Sequence, residues 1–495
     1  MLLRGLSYRD IVFCIILTLS ILTLSACEPR LPRETSEKEI SKPNFVLIIA
    51  DDISWDDIGA YGHTGIHTPN LDKMAQKGMV FNNAFLTASS CSPSRASIIT
   101  GRYPHNTDAE ELHWPLPAEQ TTFSEKLKEN GYWTVASGKW HLGPQVVDRF
   151  DLVDEIAYAA PDNASGGDTW PRLIKEAPED RPFFMWFASW DAHRPFPEGE
   201  LPHKHTEADL RIPVYYPETE MMKRNFLDYY DEIARFDMLV GNVVEALEDK
   251  GVADNTLILV MADNGRPYAR DKTTMYDSGM KTPFIAYWPD QISQGAQSEA
   301  LLSAIDIAPT ILHLSGTDIP ETVEGKSFHE LFHSPEAAFR EYAFSEKNWH
   351  DFTDHGRTVR SKDYRYIRNN YTDLPATPTA DTVYDPIWEE RVAMYEKGEL
   401  TPLQQIPFIA PRPAEELYDL RSDPLQLSNL ALNPDYQDVL VKYRQVLDNW
   451  MEETGDFIPT IRSLDEFDRS TGEYTPNRQR PRPSKMDMYG KHGAY

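Results

Sequence analysis

The stretch "NFVLIIADD", residues 44–52, decides the fold of this chain. It is a short apolar run rich in strand-forming residues, and it ends in Asp51 and Asp52. A run of this length and composition is typical of a buried β-strand. The chain repeats the arrangement three more times, and each repeat places polar residues near the carboxyl end of an apolar run.

The three further runs occupy residues 132–143, 182–196 and 255–265. The polar residues near their ends are Lys139, His141, His193, Asp263 and Asn264. Helix-like segments that end in glycine separate the runs, at 70–78, 123–131 and 226–251. Alternating strands and helices predict an α/β fold, with a mostly parallel sheet covered by helices on both faces. Because such sheets bind ligands at the carboxyl ends of their strands, we expect these polar side chains to form one site.

Each feature also has an ordinary structural explanation. An aspartate after a strand often belongs to a turn or caps a helix, and Asp-Asn-Gly is a common turn. An isolated histidine usually has a structural role. The joint occurrence of all these residues at one predicted sheet edge is what favours a functional site.

The residues of this predicted site divide into two chemical groups. Asp51, Asp52, Asp263 and Asn264 offer only oxygen, which suits a hard divalent cation, calcium first and magnesium second. The second group supplies positive charge and hydrogen-bond donors, and it consists of Arg95, Lys139, His141, His193 and Lys272. A metal ion beside several basic side chains is suited to a tetrahedral oxyanion, either phosphate or sulfate.

Composition limits the possible partners. The chain has 495 residues and a formal net charge of −29, with 41% hydrophobic and 26% charged residues. This is an ordinary globular composition with a strongly acidic balance, which excludes nucleic acid as an expected partner. An anionic substrate therefore needs a local basic pocket.

The N-terminus predicts export. Arg4 and Arg9 precede an apolar run, residues 11–22, that is too short to span a bilayer comfortably. The sequence "LSAC", residues 24–27, resembles a bacterial lipobox, which implies cleavage before Cys27 and lipidation of its sulfur. An ordinary signal peptide or an uncleaved anchor are the alternatives. Cleavage would leave Cys91 as the only unmodified cysteine of an exported protein, so it is either buried and inert or has a task.

Cys91 lies in "SCSPSRASIITGRYPH", residues 90–105, which contains the pattern Cys-x-Pro-x-Arg. This stretch resembles the signature of the type I sulfatases, whose cysteine is oxidised by a maturation enzyme to formylglycine, an aldehyde. "SGKWHLG", "ADNG", "KTTMYDSGMKTPFI" and "ELYDLRSDPLQLSNLA" are similar to further landmarks of that family, in family order. Within the family, the chain is most similar to the sulfamidase (N-sulfoglucosamine sulfohydrolase) branch.

The resemblance implies an alkaline-phosphatase-like fold and a calcium site. One calcium ion per chain would be held by Asp51, Asp52, Asp263 and Asn264, with residue 91 as a further ligand. The formylglycine hydrate would be the nucleophile, because its second hydroxyl lets the sulfated adduct break down without attack by another water.

The same resemblance implies roles for the basic residues. Arg95 would orient the hydrate, Lys139 and Lys272 would bind sulfate oxygens, His141 would contact the hydrate, and His193 would face the leaving group. Lys281 departs from the family pattern, in which "YEGGxR" is more usual than "YDSGMK". We therefore expect Lys281 to support the site from behind without contacting the substrate.

The predicted domain organisation follows the changes in sequence character. We expect a small antiparallel α+β subdomain after the large domain, with strands in 357–371 and 414–420 and an amphipathic helix in 433–455. The predicted ranges are a signal peptide 1–26, a tether 27–42, a catalytic domain 43–340, a C-terminal subdomain 341–466 and a polar tail 467–495.

The sequence therefore predicts a calcium-dependent, formylglycine-bearing sulfatase, lipid-anchored in a bacterial cell envelope and active on sulfated oligosaccharides. The two substrate alternatives are sulfate esters of algal polysaccharides such as ulvan, and the N-sulfate of heparan-type glucosamine. Three rival functions stay open: a phosphate or phosphonate monoesterase of the same superfold, a zinc phosphatase, and a non-catalytic binding protein. A non-catalytic protein would be expected to lose metal ligands or part of the Cys-x-Pro-x-Arg motif. All of those positions are filled here, which argues against the last of these functions.

Overall fold

A computed structural model describes residues 42–157, 165–196, 203–289 and 291–475. Its larger sheet has eight strands in the order β4-β3-β5-β1-β6-β7-β2-β8. All run in the same direction except β7, which is antiparallel to both of its neighbours. The strands are β1 Asn44–Ala50, β2 Met79–Phe85, β3 Trp133–Gly138, β4 Leu152–Glu155, β5 Phe183–Ala188, β6 Thr256–Ala262, β7 Phe284–Tyr287 and β8 Ala296–Ser303.

Strand β1 lies in the middle of this sheet, between β5 and β6, and all its residues are buried. Its alternate side chains pack into two different cores, one on each face. Phe45, Leu47 and Ile49 belong to the first core, whereas Val46 and Ile48 belong to the second. Burial on both faces explains why the strand is apolar from Phe45 to Ala50 instead of alternating with polar residues.

Helices cover both faces of the sheet. The helices among the described residues are α1 Pro69–Lys77, α2 Cys91–Thr100, α3 Phe123–Glu129, α4 Trp170–Glu176, α5 Glu220–Lys250, α6 Asp277–Met280, α7 Ile307–Leu314, α8 Ala380–Val383, α9 Pro386–Glu396 and α10 Gln437–Thr454. Helix α5 begins six residues before the predicted segment, because the Thr219 side chain accepts a hydrogen bond from the Met222 amide and caps the helix there.

The second sheet has four antiparallel strands in the order β12-β11-β10-β9. They are β9 Ala343–Lys347, β10 Gly356–Arg360, β11 Tyr364–Asn369 and β12 Glu415–Asp419. Helix α10 packs on this sheet through Leu440, Tyr443, Leu447 and Trp450, whose spacing places them on one helical face. The predicted small α+β unit is thus confirmed.

The four strands predicted from the apolar runs are confirmed as β1, β3, β5 and β6, and the mostly parallel α/β fold is confirmed with them. The exact domain boundaries stay predictions. The signal peptide and Cys27 lie outside the described residues. Among the described residues, every helix is too short or too polar to cross a bilayer.

Candidate active site

Two neighbouring strands bring the predicted acidic residues together. Ala50 at the end of β1 pairs with Ala262 at the end of β6, so Asp51 and Asp263 leave the sheet side by side. Both residues and Asp52 are completely buried. One carboxylate oxygen from each of the three aspartates and the Cys91 sulfur all lie within 4.8 Å of one another. The structure thus brings three of the four predicted oxygen ligands together with Cys91 at the sheet edge, while their role as metal ligands stays a prediction.

The chemistry of this group fits a hard cation. Asn264 donates through Nδ2 to Asp52 Oδ1 at 2.5 Å and to Asp263 Oδ1 at 2.7 Å. Its buried side-chain oxygen has no hydrogen-bond partner among the described residues. Burial, and then the charge of neighbouring Asp51, raise the pKa of Asp263. A divalent cation would relieve this concentration of negative charge and would use the oxygen donors that calcium prefers.

Three basic side chains surround the acidic group. Lys139 pairs with Asp51, and Lys272 Nζ lies 2.7 Å from Asp52 Oδ2. Arg95 Nε donates to Asp263 Oδ2 at 2.8 Å, and its Nη1 donates to the Lys139 carbonyl at 2.9 Å. All three basic side chains are almost completely buried. They therefore supply fixed positive charge at the place where an anion would meet the carboxylates.

Cys91 is the first residue of helix α2, so the positive end of the helix dipole lies at its side chain. Its sulfur is 3.6 Å from Asp51 Oδ1 and 3.7 Å from Asn264 Nδ2. Burial raises the pKa of the Cys91 thiol to about 12 despite the nearby lysines. An unmodified thiol here stays protonated at neutral pH and is a poor nucleophile.

The two predicted histidines lie beside this group. His193 contacts the Arg194 carbonyl through Nδ1 at 2.5 Å, and one ring nitrogen is within 4.8 Å of ligand atoms of both Asp51 and Cys91. His141 is held by His113, with 2.8 Å between His141 Nε2 and His113 Nδ1. Burial, and then the charge of Lys272, lower the pKa of His193 to about 4. Burial, and then Lys139, lower the pKa of His141 well below its ordinary value.

Left-handed backbone conformations occur at several positions around the site. The φ angle is 58° at Asp52, 54° at His141, 64° at His113 and 66° at Thr273. Non-glycine residues adopt such angles at an energetic cost of order 1–3 kcal/mol each, and the surrounding structure must hold them in place. This backbone aims the carboxylate of Asp52 and the ring of His141 into the site.

The structure adds residues that the sequence did not single out for this site. His113 contacts His141, and His350 Nδ1 lies 2.7 Å from the Ser90 hydroxyl, next to Cys91. Asp381 Oδ2 is 3.8 Å from Lys272 Nζ and 3.7 Å from His193 Nε2. Burial acts to raise the pKa of Asp381, but Lys272 and His193 hold it well below its ordinary value.

Lys281 occupies a different environment from the other predicted residues. Its Nζ lies over the ring of Trp55, 3.6 Å from the centroid, and Asp277 is a neighbouring charge. This contact is a cation–π interaction. Lys281 therefore packs beside the site, while its predicted supporting role stays a prediction.

A sheet edge that combines clustered oxygen ligands with buried basic residues and a helix N-terminus defines a hydrolase for esters of tetrahedral oxyanions. The chain belongs to the sulfatase family and is a sulfuric ester hydrolase. The family description "Sulfatase" matches residues 43–317, and "N-sulphoglucosamine sulphohydrolase, C-terminal" matches residues 268–406.

Characterised relatives span most of the chain. An ulvan-active sulfatase of Formosa agariphila is 30% identical over 481 residues, covering 86% of this chain and 77% of the relative. The N-sulphoglucosamine sulphohydrolase of Homo sapiens is 28% identical, covering 83% of this chain and 90% of the human protein. A solved structure of a protein bound to its substrate D-glucosamine-2-N,6-O-disulfate matches with a TM-score of 0.65 and 19% identity, over 84% of this chain and 99% of that one.

Proposed function

We propose that this enzyme removes sulfate groups from polysaccharide-derived oligosaccharides and that residue 91 supplies the nucleophile. The observation that carries this proposal is the position of the Cys91 sulfur, 3.6 Å from Asp51 and surrounded by buried basic groups. The similarity to ulvan-active sulfatases and to a sulfamidase supports a sulfated carbohydrate as the substrate.

Asp51, Asp52, Asp263 and Asn264 are the residues that would hold calcium, with residue 91 as a further ligand. When bound, calcium would supply a positive charge that polarises a sulfate oxygen and acidifies the attacking hydroxyl. The amide of Asn264 already bridges Asp52 and Asp263, so it holds two of the ligands in position.

Modification of Cys91 explains why a thiol lies in this position. The protonated Cys91 thiol is a poor nucleophile, and an unmodified cysteine would form an adduct that needs a separate attack by water. Oxidation to formylglycine would supply a hydrated aldehyde with two hydroxyls. One hydroxyl would attack sulfur while the bond from sulfur to the sugar oxygen or nitrogen breaks. Loss of the proton from the second hydroxyl would then break the C–O bond, which releases sulfate and restores the aldehyde. The maturation enzyme is therefore a proposed partner.

The remaining side chains would either bind the substrate or support the groups that react with it. Lys139 and Lys272 would bind sulfate oxygens and stabilise the charge that develops on them, and Arg95 holds Asp263 in place. His193, whose ring nitrogen lies within 4.8 Å of ligand atoms of Asp51 and Cys91, would face the leaving group. The negative charge of a bound sulfate would favour the protonated ring, which can donate a proton to that group. His141, held by His113 and close to the charge of Lys139, would accept a proton from residue 91.

N-sulfate removal is the second candidate reaction. The match of residues 268–406 to the N-sulphoglucosamine sulphohydrolase C-terminal description favours it. An N–S bond and an O–S bond present the same sulfate group to the pocket, and they differ only in the atom that receives the proton from His193.

The experiment uses the full chain produced together with a maturation enzyme. Released sulfate is measured on ulvan oligosaccharides and on N-sulfoglucosamine, and released phosphate is measured on an aryl phosphate, with Cys91→Ala as the matched control. We expect sulfate release from at least one sulfated saccharide and none from the control. Faster release of phosphate than of sulfate would contradict the proposal and favour the monoesterase.

We also propose that the enzyme is lipid-anchored in the cell envelope through Cys27. The lipobox-like sequence at 24–27 and the charged tether that follows it support this proposal. Membrane fractionation of wild type and Cys27→Ala is the test. We expect the wild type in the membrane fraction and the variant in the soluble fraction, and a wild type found in the soluble fraction would contradict the anchor.

A further inference from the structure

A fourth carboxylate lies beside Lys272 and His193, outside the group of oxygen ligands around Cys91. Asp381 Oδ2 is 3.8 Å from Lys272 Nζ and 3.7 Å from His193 Nε2. Its side chain is 23% exposed, whereas that of Asp52, the other partner of Lys272, is fully buried. A negative charge facing a sulfate-binding lysine weakens the attraction for any anion, so its presence calls for an explanation.

Local hydrogen bonds fix the direction of this carboxylate. Its Oδ1 accepts from the Thr379 hydroxyl and from the Thr382 amide, the latter at 2.7 Å. Both contacts engage the same oxygen, which leaves Oδ2 turned towards Lys272 and His193. The segment that carries Asp381 begins helix α8, after the strands β9 to β11, whereas the other charged groups of the pocket come from the larger sheet and its loops.

The effect of Asp381 depends on the charge of the ligand. Coulomb energy is proportional to the product of the charges, so a fixed carboxylate repels a dianion twice as strongly as a monoanion in the same position. A sulfate monoester carries one negative charge, while a phosphate monoester carries two in alkaline solution. The two ligands have the same tetrahedral shape, and the basic residues alone would favour the dianion.

We propose that Asp381 is a specificity-determining residue that makes the pocket select singly charged sulfate esters over doubly charged phosphate monoesters. The inference rests on the proposed function, because it assumes that Lys139 and Lys272 form the sulfate pocket. It adds to that function by making Asp381, which follows β11 in the chain, responsible for discrimination between sulfate and phosphate esters.

The test compares two small ions of the same shape and different charge. Binding of methanesulfonate, a monoanion, and methylphosphonate, a dianion in alkaline buffer, is measured by calorimetry on the calcium-loaded full chain. Asp381→Asn retains the size of the side chain and an oxygen for the Thr382 amide, but it removes the charge. We expect the ratio of phosphonate to sulfonate affinity to rise by about tenfold, the size expected for one partly exposed charge near the ligand.

Two control variants separate charge selectivity from other effects. Asp381→Glu retains the charge, so we expect its affinity ratio to stay near that of the wild type. Asp373→Asn removes an exposed charge from the loop that precedes helix α8, where Asp373 pairs with Arg462, and we expect no change in the ratio. An unchanged ratio in Asp381→Asn, or an equal shift in Asp373→Asn, overturns the inference.

Binding of the two ions to the wild type tests the sulfate pocket separately from the role of Asp381. If the wild type binds both ions and the ratio is insensitive to Asp381, the selectivity role is wrong while the sulfate pocket stands. If the wild type binds neither ion, the pocket itself is wrong, and both proposals fall. Because binding is measured at equilibrium, neither result depends on turnover.

Discussion

Replacement of Arg95 by methionine tests the buried charge network most sharply. Arg95 and Asp263 are both 0% exposed, and Asp263 Oδ2 lies 2.8 Å from Nε and 2.7 Å from Nη2 of Arg95. Removal of one partner of a buried ion pair leaves an uncompensated charge and typically costs about 3–5 kcal/mol. At about 2.1 cal/mol/K of unfolding entropy per residue, a chain of 495 residues has an unfolding entropy of about 1 kcal/mol/K. We therefore expect Arg95→Met to lower Tm by about 3–5 °C.

The assay is thermal unfolding followed by circular dichroism in the presence of a chelator, so that bound calcium does not compensate for the lost arginine. Arg462→Met is the matched control, because Arg462 forms an exposed ion pair with Asp373 at 2.8 Å. Exposed pairs contribute up to about 1 kcal/mol, so we expect a Tm change of about 1 °C or less. Equal Tm losses in the two variants would refute the reasoning.

Three further predictions concern the nucleophile, the metal and pH. Cys91→Ser should abolish sulfate release while circular dichroism and Tm stay near wild type; wild-type turnover would contradict the formylglycine mechanism. Calcium at a hundred times its Kd should stabilise the chelated protein by about 2.7 kcal/mol, or about 3 °C in Tm, and no shift would contradict the metal site. Burial acts to lower the pKa of His105, but Glu346 raises it to about 9. A raised histidine pKa stabilises the fold fully at pH values below the pKa of the unfolded state, which is about 6.5. We therefore expect the free energy of unfolding to fall by about 3 kcal/mol as the pH rises from about 6.5 through 9. Denaturant titrations of His105→Gln should show no such fall in the free energy of unfolding. The same dependence of unfolding free energy on pH in the variant and the wild type would contradict the role of His105.

Much of the fold could be predicted because local sequence and tertiary position agree in the centre of the larger sheet. β1 is apolar from Phe45 to Ala50 because it is buried on both faces between β5 and β6. The antiparallel direction of β7 could not be predicted, because its four residues carry no signal that distinguishes direction. The start of helix α5 was predicted too late, because the cap at Thr219 depends on one side chain and not on the hydrophobic period.

The same distinction applies to the site. Asp51, Asp263 and Lys139 directly follow predicted strands, so the rule that α/β sheets bind ligands at the carboxyl ends of their strands is sufficient to place them together. Asp381 reaches the site from the start of helix α8 and His350 from the loop after β9, where neither a motif nor a predicted strand end marks them. Their positions depend on how the C-terminal segment packs against the catalytic loops, and a single sequence contains no local signal for that packing.

The measurement that tests the central claim most directly is the mass of the peptide containing residue 91, determined together with sulfate release on the same preparations. Protein produced with and without the maturation enzyme gives preparations that differ in the fraction of Cys91 converted to formylglycine. We predict that sulfate release rises in proportion to the fraction of peptide that is about 18 Da lighter than the cysteine form. Full sulfate release from protein whose Cys91 remains entirely a thiol would contradict the account.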